Sequence, residues 1–414
     1  VTIEKNVTKI DDYAIGFVFD FDNYKINKVK DFTVKGYRGT VAESYAKKNS
    51  FNFVALDKTL QTPSISKLEN TSGGIKISWN KVSGAYGYRV YQKTSNGWKR
   101  IKDTTATSYT DSAVSVNQTK TYTMRCIDKN GNTVSGYNSK GWSKKYTPVA
   151  PTISKLENTS GGIKLSWNKI AGVYGYRLYY KTSSGGWKRF KDTTATSFTD
   201  SGVSPNRTET YTIRCIDKNG NTVSGYNSKG WSKKYTPVAP TISKLENTSG
   251  GIKLSWNKIA GVYGYRLYYK TSSGGWKRFK DTTATSFTDS GVSPNRTETY
   301  TIRCIDKNGN TVSGYNSKGW SKKYAPVAPK ITKLTNTSKG VSVTWGKVAG
   351  VYGYRLYRKY AGGSWKKVKD TTAASYTDSG AKKGKKVTYT LRCIDKNGKT
   401  ISGYNATGWS ITRK

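Results

Sequence analysis

An all-β chain, built as a tandem array of antiparallel β-sandwiches behind a short β-rich N-terminal segment, is what this sequence predicts. Three observations carry that expectation: a long internal repeat, a period-two alternation inside each repeat, and turn-forming clusters between the alternating runs. The repeat comes first. The string PTISKLENTSGGIKLSWNK begins at Pro151 and again at Pro240, with close variants at Pro63 and Pro329, so the offsets are 88, 89 and 89 residues. Trp79, Trp167, Trp256 and Trp345 keep this register, as do Cys126, Cys215, Cys304 and Cys393. A unit of that length is a domain rather than one turn of a solenoid. Segments 151–239 and 240–328 differ only at Thr236 against Ala325, the mark of a recent duplication. Copying a whole unit suits a spacer or a multivalent binder better than an enzyme with one active site.

Inside a repeat the period is two. Apolar and polar residues alternate in Ile163-Lys164-Leu165-Ser166-Trp167 and in Tyr211-Thr212-Ile213-Arg214-Cys215, which predicts strands with one buried face. Between such runs lie Thr159 to Gly162, Thr182 to Gly186, Thr199 to Gly202 and Asp217 to Asn221, rich in the residues that turns require. The expected organisation is a β-rich segment at 1–62, which reads as the end of a truncated domain or as a small β-module, then four sandwiches at 63–150, 151–239, 240–328 and 329–414. Short proline-bearing linkers such as Tyr235 to Pro240 hold the units in a row. In the leading segment, Phe17 to Asp22, Asp31 to Tyr37 and Ser50 to Leu56 are the expected strands.

With 414 residues the chain is long enough for several cores. Tyr (32) and Trp (12) supply much of the apolar material, and such residues fit small β-sandwich cores. Lys and Arg number 71 against 25 Asp and Glu, a formal charge of +46. By segment the charges are +2 for 1–62, then +10, +9, +9 and +16 for the four repeats, so every repeat attracts polyanions. No run approaches the roughly 20 apolar residues of a membrane helix, so no transmembrane segment is expected. Opening on Val1 without a charged-then-apolar leader, the chain is expected to be a mature or trimmed piece of something longer.

The order of an opening Pro151, the second-strand Trp167, Gly175-Tyr176-Arg177, Ser197-Phe198-Thr199-Asp200 and Tyr211 to Cys215 resembles the fibronectin type III family. More narrowly, residues 63–414 are similar to the tandem modules of that family in Gram-positive bacterial surface and secreted proteins. The resemblance implies an immunoglobulin-like sandwich and an extracellular or cell-surface setting. It specifies the function poorly, since this sandwich hosts many unrelated tasks. No Arg-Gly-Asp occurs, so the integrin-type activity of the family is not expected here.

Catalysis is poorly supplied. The chain has no His, which removes the usual general base and every Ser-His or Cys-His pairing. Asp192, Asp200 and Asp217 recur in each repeat at loop or strand-end positions that suit turns and hydrogen bonds. One inward cysteine per repeat has no partner within reach and reads as a small buried hydrophobe. Asp20-x-Asp22-Asn23 is a short acidic cluster, too small to define a cation site, so neither a metal nor a cofactor is expected.

The basic and aromatic residues remain. With Tyr176, Leu178, Tyr211, Ile213 and Cys215 inward, alternation sends Arg177, Tyr179, Thr212 and Arg214 to the outer face, where Trp187 and Arg189 join them. The candidate binding residues are therefore Arg89, Tyr91, Trp98, Arg100 and Arg125 in the first repeat and Arg177, Tyr179, Trp187, Arg189 and Arg214 in the second. Arg266, Tyr268, Trp276 and Arg303 follow in the third, and Arg355, Tyr357, Trp365 and Arg392 in the fourth. Two readings stay open: a self-satisfied ladder of Arg over aromatic rings, or a platform for sugar faces and anionic groups. A second recurring string, Ser224 to Trp231, is expected to form a bulge that packs its aromatics back onto the module. The expected protein is a non-enzymatic, monomeric, elongated surface or secreted array that spaces and adheres. Its expected partner is an anionic cell-wall polymer or a host or dietary glycan, since no nucleic-acid motif is present. The alternative is the accessory, non-catalytic tail of a secreted carbohydrate-active or cell-wall hydrolase.

Overall fold

The computed structural model describes residues 1–56 and 59–414. They form two compact units. One holds Val1–Ser154, Trp167–Thr196 and Tyr211–Trp231, and the other holds Lys155–Ser166, Ser197–Thr210 and Ser232–Lys414.

The leading segment is β-rich and contains the strands expected near Phe17, Asp31 and Ser50. Phe17–Asp20 pairs antiparallel with Lys25–Lys28, and Thr33–Gly36 pairs in parallel with Asn52–Ala55. An unexpected helix, Val41–Lys48, connects the parallel strands. Ala42, Tyr45 and Ala46 give it one apolar face at helical spacing, and Glu43 in the first turn with Lys47 and Lys48 in the last suits its dipole. That face packs on Val34 and Phe51, close enough that a Cβ on Gly36 would meet the Ala42 Cβ at 2.5 Å. Asp20 caps a turn: its carboxylate accepts the Asp22 and Asn23 N–H groups at 3.1 and 3.2 Å and the Asn23 side-chain amide at 3.0 Å.

The remainder is all-β. A three-stranded antiparallel sheet and a four-stranded one recur four times along the chain. In the third repeat Ile242–Thr248, Gly251–Trp256 and Ser286–Asp289 make the first sheet. Trp276–Thr282, Gly264–Lys270, Thr297–Ile305 and Trp320–Lys323, in that order, make the second. The alternation read from the sequence sets its register. Tyr265 faces Cys304 and Leu267 faces Ile302, all inward, whereas Arg266 faces Arg303 and Tyr268 faces Thr301 on the outer side. Together with Ile252, Leu254 and Trp256 the inward residues form one core. Each fully buried Leu or Ile there contributes about 1.5–3 kcal/mol. Gly251 closes the first hairpin at φ +125, where a Cβ would come within 1.9 Å of the Asp289 carbonyl oxygen, so only glycine fits.

In three of the repeats an aspartate sits against a buried tyrosine of the core. The buried Tyr300 hydroxyl donates to Asp289 Oδ2 at 2.9 Å, and Tyr122 and Tyr389 do the same to Asp111 and Asp378 at 2.7 and 2.9 Å. The group facing this acid changes between repeats. Lys120, 5% exposed, bonds Asp111 at 3.0 Å in the first. In the fourth, Val387 takes the place of Lys120, and Arg358, at the place of Gln92, reaches Asp378 at 2.6 Å. The third has Glu298 at that inward position, and burial with the nearby Asp289 charge raises its carboxyl above the usual range.

Neighbouring repeats are hydrogen-bonded, not merely tethered. Tyr146, at the end of the first, is fully buried and donates its hydroxyl to the Ala171 carbonyl oxygen at 2.8 Å, while the Ala171 N–H donates to Ser72 O at 2.8 Å. The same pair of bonds recurs with Tyr235, Ala260 and Ser160, and again with Tyr324, Ala349 and Ser249. The one difference between the twin repeats falls at this border. Asn158 donates to Thr236 Oγ1 at 2.6 Å, a bond that Ala325 cannot accept for Asn247.

Candidate functional site

The outer face of the four-stranded sheet sorts its arginines into two kinds. Arg177 is gripped by Asp192 through two parallel bonds, Nε to Oδ1 at 2.9 Å and Nη2 to Oδ2 at 2.8 Å. Arg89, Arg266 and Arg355 hold Asp103, Asp281 and Asp370 in the same way. These bonds hold the carboxylates below their usual range, Asp370 at about 2. Arg100 and Arg189 add a second cation to the same carboxylates at 2.7 Å and stay more than half exposed. For these residues the ladder is an ion-pair ladder.

The second kind is built differently. Arg303, across the register from Arg266, donates Nε to Ser313 O at 3.1 Å and lays its guanidinium 5.2 Å from the centre of the Tyr315 ring. Arg125, Arg214 and Arg392 lie 4.5, 5.3 and 4.6 Å from Tyr137, Tyr226 and Tyr404. Among the described residues none of these four arginines has a carboxylate partner.

Each stacked arginine forms one wall of a small open cleft. Tyr268, Trp276, Thr301, Arg303 and Tyr315 line the one in the third repeat, about 120 Å³ in volume. The corresponding five in the first are Tyr91, Trp98, Thr123, Arg125 and Tyr137, with about 130 Å³. Tyr179, Trp187, Thr212, Arg214 and Tyr226 give about 120 Å³, and Tyr357, Trp365, Thr390, Arg392 and Tyr404 about 300 Å³. The walls are fixed by their own bonds. Thr301 donates its hydroxyl to Asn316 O at 2.9 Å, which anchors the segment that carries Tyr315. Trp276 and Tyr315 meet edge to face at 6.5 Å. Gly319, at φ +72, lets the tip of Trp276 in where a Cβ would stand 2.6 Å from it.

Of the sequence candidates, the cleft gathers the Tyr, the Trp and the stacked Arg of every repeat. Those in ion pairs, Arg89, Arg177, Arg266 and Arg355 with Arg100 and Arg189, lie outside the five-residue linings. Two members were not singled out from the sequence as binding residues: the threonine and the second tyrosine. That tyrosine belongs to the recurring Ser224 to Trp231 string, whose repetition was the available signal. Chemically the cleft offers aromatic faces, a hydroxyl already bonded and one cation. These are groups suited to holding a ligand.

The cysteines sit behind this sheet, fully buried, and burial raises the thiols of Cys215, Cys304 and Cys393 to about 11. Among the described residues no cluster of His, Cys, Asp or Glu is placed to hold a metal ion. No helix among them is long and apolar enough to cross a membrane.

The class that this fold defines is a tandem array of fibronectin type III-like β-sandwiches. No family model matches the chain. It is similar to Exoglucanase B of Cellulomonas fimi, 28% identical over 296 residues that cover 64% of this chain and 26% of that protein. It is also similar to Chitinase A1 of Niallia circulans, 29% identical over 224 residues, 50% of this chain and 30% of that one. Fibronectin type III domain-containing protein 7 of Mus musculus is 26% identical over 283 residues, 67% of this chain and 36% of the mouse protein. The chain thus spans about a quarter to a third of the length of these curated relatives.

Proposed function

We propose that this chain is a non-enzymatic, extracellular or cell-surface array whose four modules, at 63–150, 151–239, 240–328 and 329–414, space neighbouring domains and adhere to an anionic polymer or glycan. One observation carries the reading: the same Tyr, Trp, Thr, Arg, Tyr cleft recurs in all four repeats, each with a guanidinium that no carboxylate neutralises among the described residues. Aromatic walls suit the faces of sugar rings, and the stacked arginine suits a carboxylate or sulfate. A single open cleft of this size binds weakly, but four on one chain convert weak contacts into avidity. The net charge of +46 draws the polymer in.

The test is retention of the whole chain on immobilised polygalacturonate, compared with a variant carrying Trp→Ala at positions 98, 187, 276 and 365. Loss of retention in the variant, with steep weakening by salt, is the expected result. Equal retention of both proteins would leave the modules as spacers alone.

The second reading, an accessory tail of a carbohydrate-active hydrolase, is favoured by the similarity to an exoglucanase and a chitinase over a minor part of each. The two readings share the cleft and differ in what the array is joined to.

A further inference from the structure

A larger cavity lies where the leading segment meets the first repeat, about 580 Å³ in volume, within the roughly 300–1,000 Å³ of pockets that hold whole small ligands. Its walls are joined at two places. Gly39, at φ +71, comes so close that a Cβ would stand 2.4 Å from Asn132 Nδ2, and the Leu60 N–H donates to Val134 O at 2.9 Å. The turn on the far side is fixed as well, because Asp128 Oδ1 accepts the N–H groups of Asn130 and Asn132 at 2.9 and 2.8 Å. The cavity is therefore formed before any ligand arrives.

Its chemistry is mixed in a specific way. Arg89 lines it but is committed to Asp103. Arg125 also lines it, is the same residue that walls the first cleft, and among the described residues has no carboxylate partner. Glu43, one oxygen of which accepts the Gly39 N–H at 2.7 Å, supplies a carboxylate, and Thr59 and Thr133 supply hydroxyls. An apolar ligand finds no broad hydrophobic wall here, and a polyphosphate would meet the charge of Glu43. A ligand rich in hydroxyls that also carries a carboxylate fits these groups together, hydroxyls to Glu43 and the threonines and carboxylate to Arg125, with Arg38 as a further cation on the wall.

We propose that this pocket binds a short acidic oligosaccharide, one whose sugars bear carboxylates, and that the leading segment turns the first repeat into a site unlike the other three. The proposal rests on the reading of the array as a glycan binder and names the sugar class for one site. The walls that Arg38, Gly39, Glu43 and Thr59 provide belong to the segment that does not repeat, so among the described residues the pocket is single where the cleft is fourfold.

The experiment is calorimetric titration of the whole chain with tri-galacturonic acid and, separately, with cellotriose. Tri-galacturonic acid should bind at one site per chain, and cellotriose about tenfold or more weakly. Thr59→Trp fills the pocket from an exposed position and should weaken binding of the acid about tenfold without touching the fold. Arg125→Gln should do the same by removing the cation, whereas Lys307→Gln, which removes an exposed cation outside the pocket and every cleft, should leave the affinity for the acid unchanged. Native-like binding by Thr59→Trp, or equal affinity for cellotriose, overturns the pocket. Retention of Thr59→Trp on polygalacturonate separates the two proposals: it persists through the clefts if only the pocket fails, and it is absent in the native chain if the array does not bind such polymers.

Discussion

Arg177 and Arg214 face each other across the central strands of one sheet, two like charges in directly opposed register. Opposed like charges destabilise a strand pair unless each finds its own partner. Arg177 finds Asp192, and Arg214 finds the Tyr226 ring and the Ser224 carbonyl oxygen. The partners differ in kind, and so should the effects of losing each arginine.

Replacing Arg89, Arg177, Arg266 and Arg355 by Gln together should lower stability by about 1–3 kcal/mol per repeat, since each leaves a carboxylate without its bidentate partner. Polymer affinity should change little. Replacing Arg125, Arg214, Arg303 and Arg392 should do the reverse. Urea titrations and polymer retention, measured on both variants, read the two effects separately.

The core acid of the first repeat gives a rescue experiment. Lys120→Val alone leaves Asp111 buried without its cation, held by the Tyr122 hydroxyl and the Ala113 N–H, and should cost about 3–5 kcal/mol. Adding Gln92→Arg recreates the pairing of Arg358 with Asp378 beside Val387 in the fourth repeat, so the double variant should recover most of the loss. Equal stability of the single and double variants would show that the first core cannot take the arrangement of the fourth.

Acid acts on the repeats with opposite signs. Asp370 stands at about 2 in the folded chain against an ordinary value of 3.8. Its contribution is complete above the ordinary value and is lost as pH falls toward 2, at most about 2 kcal/mol. Glu298 is shifted upward, so the fold prefers it protonated and loses stability as pH rises from 4.5 through the raised value. Glu298→Gln should therefore raise the Tm at pH 7 and leave it unchanged at pH 3. A Tm that is equally altered at both values would exclude the carboxyl as the cause.

The thiols supply a probe of core integrity. With Cys215, Cys304 and Cys393 at about 11 and fully buried, native chain at pH 8 should resist a thiol reagent. All four should titrate only after denaturation. Rapid labelling of the native chain would contradict their burial.

The sandwich was legible because its code is local. Alternation in Tyr211 to Cys215 sets which side chains point inward, and the turn residues mark where strands stop. The helix Val41–Lys48 was not legible, since only Ala42, Tyr45 and Ala46 mark its inner face and two of them are alanines. For the cleft, parity placed Arg214, Tyr179 and Trp187 on one face. It gave no means of telling that Arg177 would be neutralised while Arg214 would not, because that depends on Asp192 from the neighbouring strand. Tyr226 escaped for a similar reason. A residue in an irregular segment has no parity, and its place is fixed by the Thr212 hydroxyl, which bonds to the Asn227 carbonyl oxygen.

The hydrogen bonds between Tyr146, Ala171 and Ser72 are assembled entirely from residues that every internal copy carries. Unequal crossover between the coding stretches for 151–239 and 240–328 would therefore add or delete one copy and leave a matching tyrosine hydroxyl, alanine and serine on both sides of the new border. Copy number can drift without any compensating change in the protein, and each gain or loss alters the count of clefts by one. Under the proposed function, the gene thus carries a means of adjusting grip one module at a time.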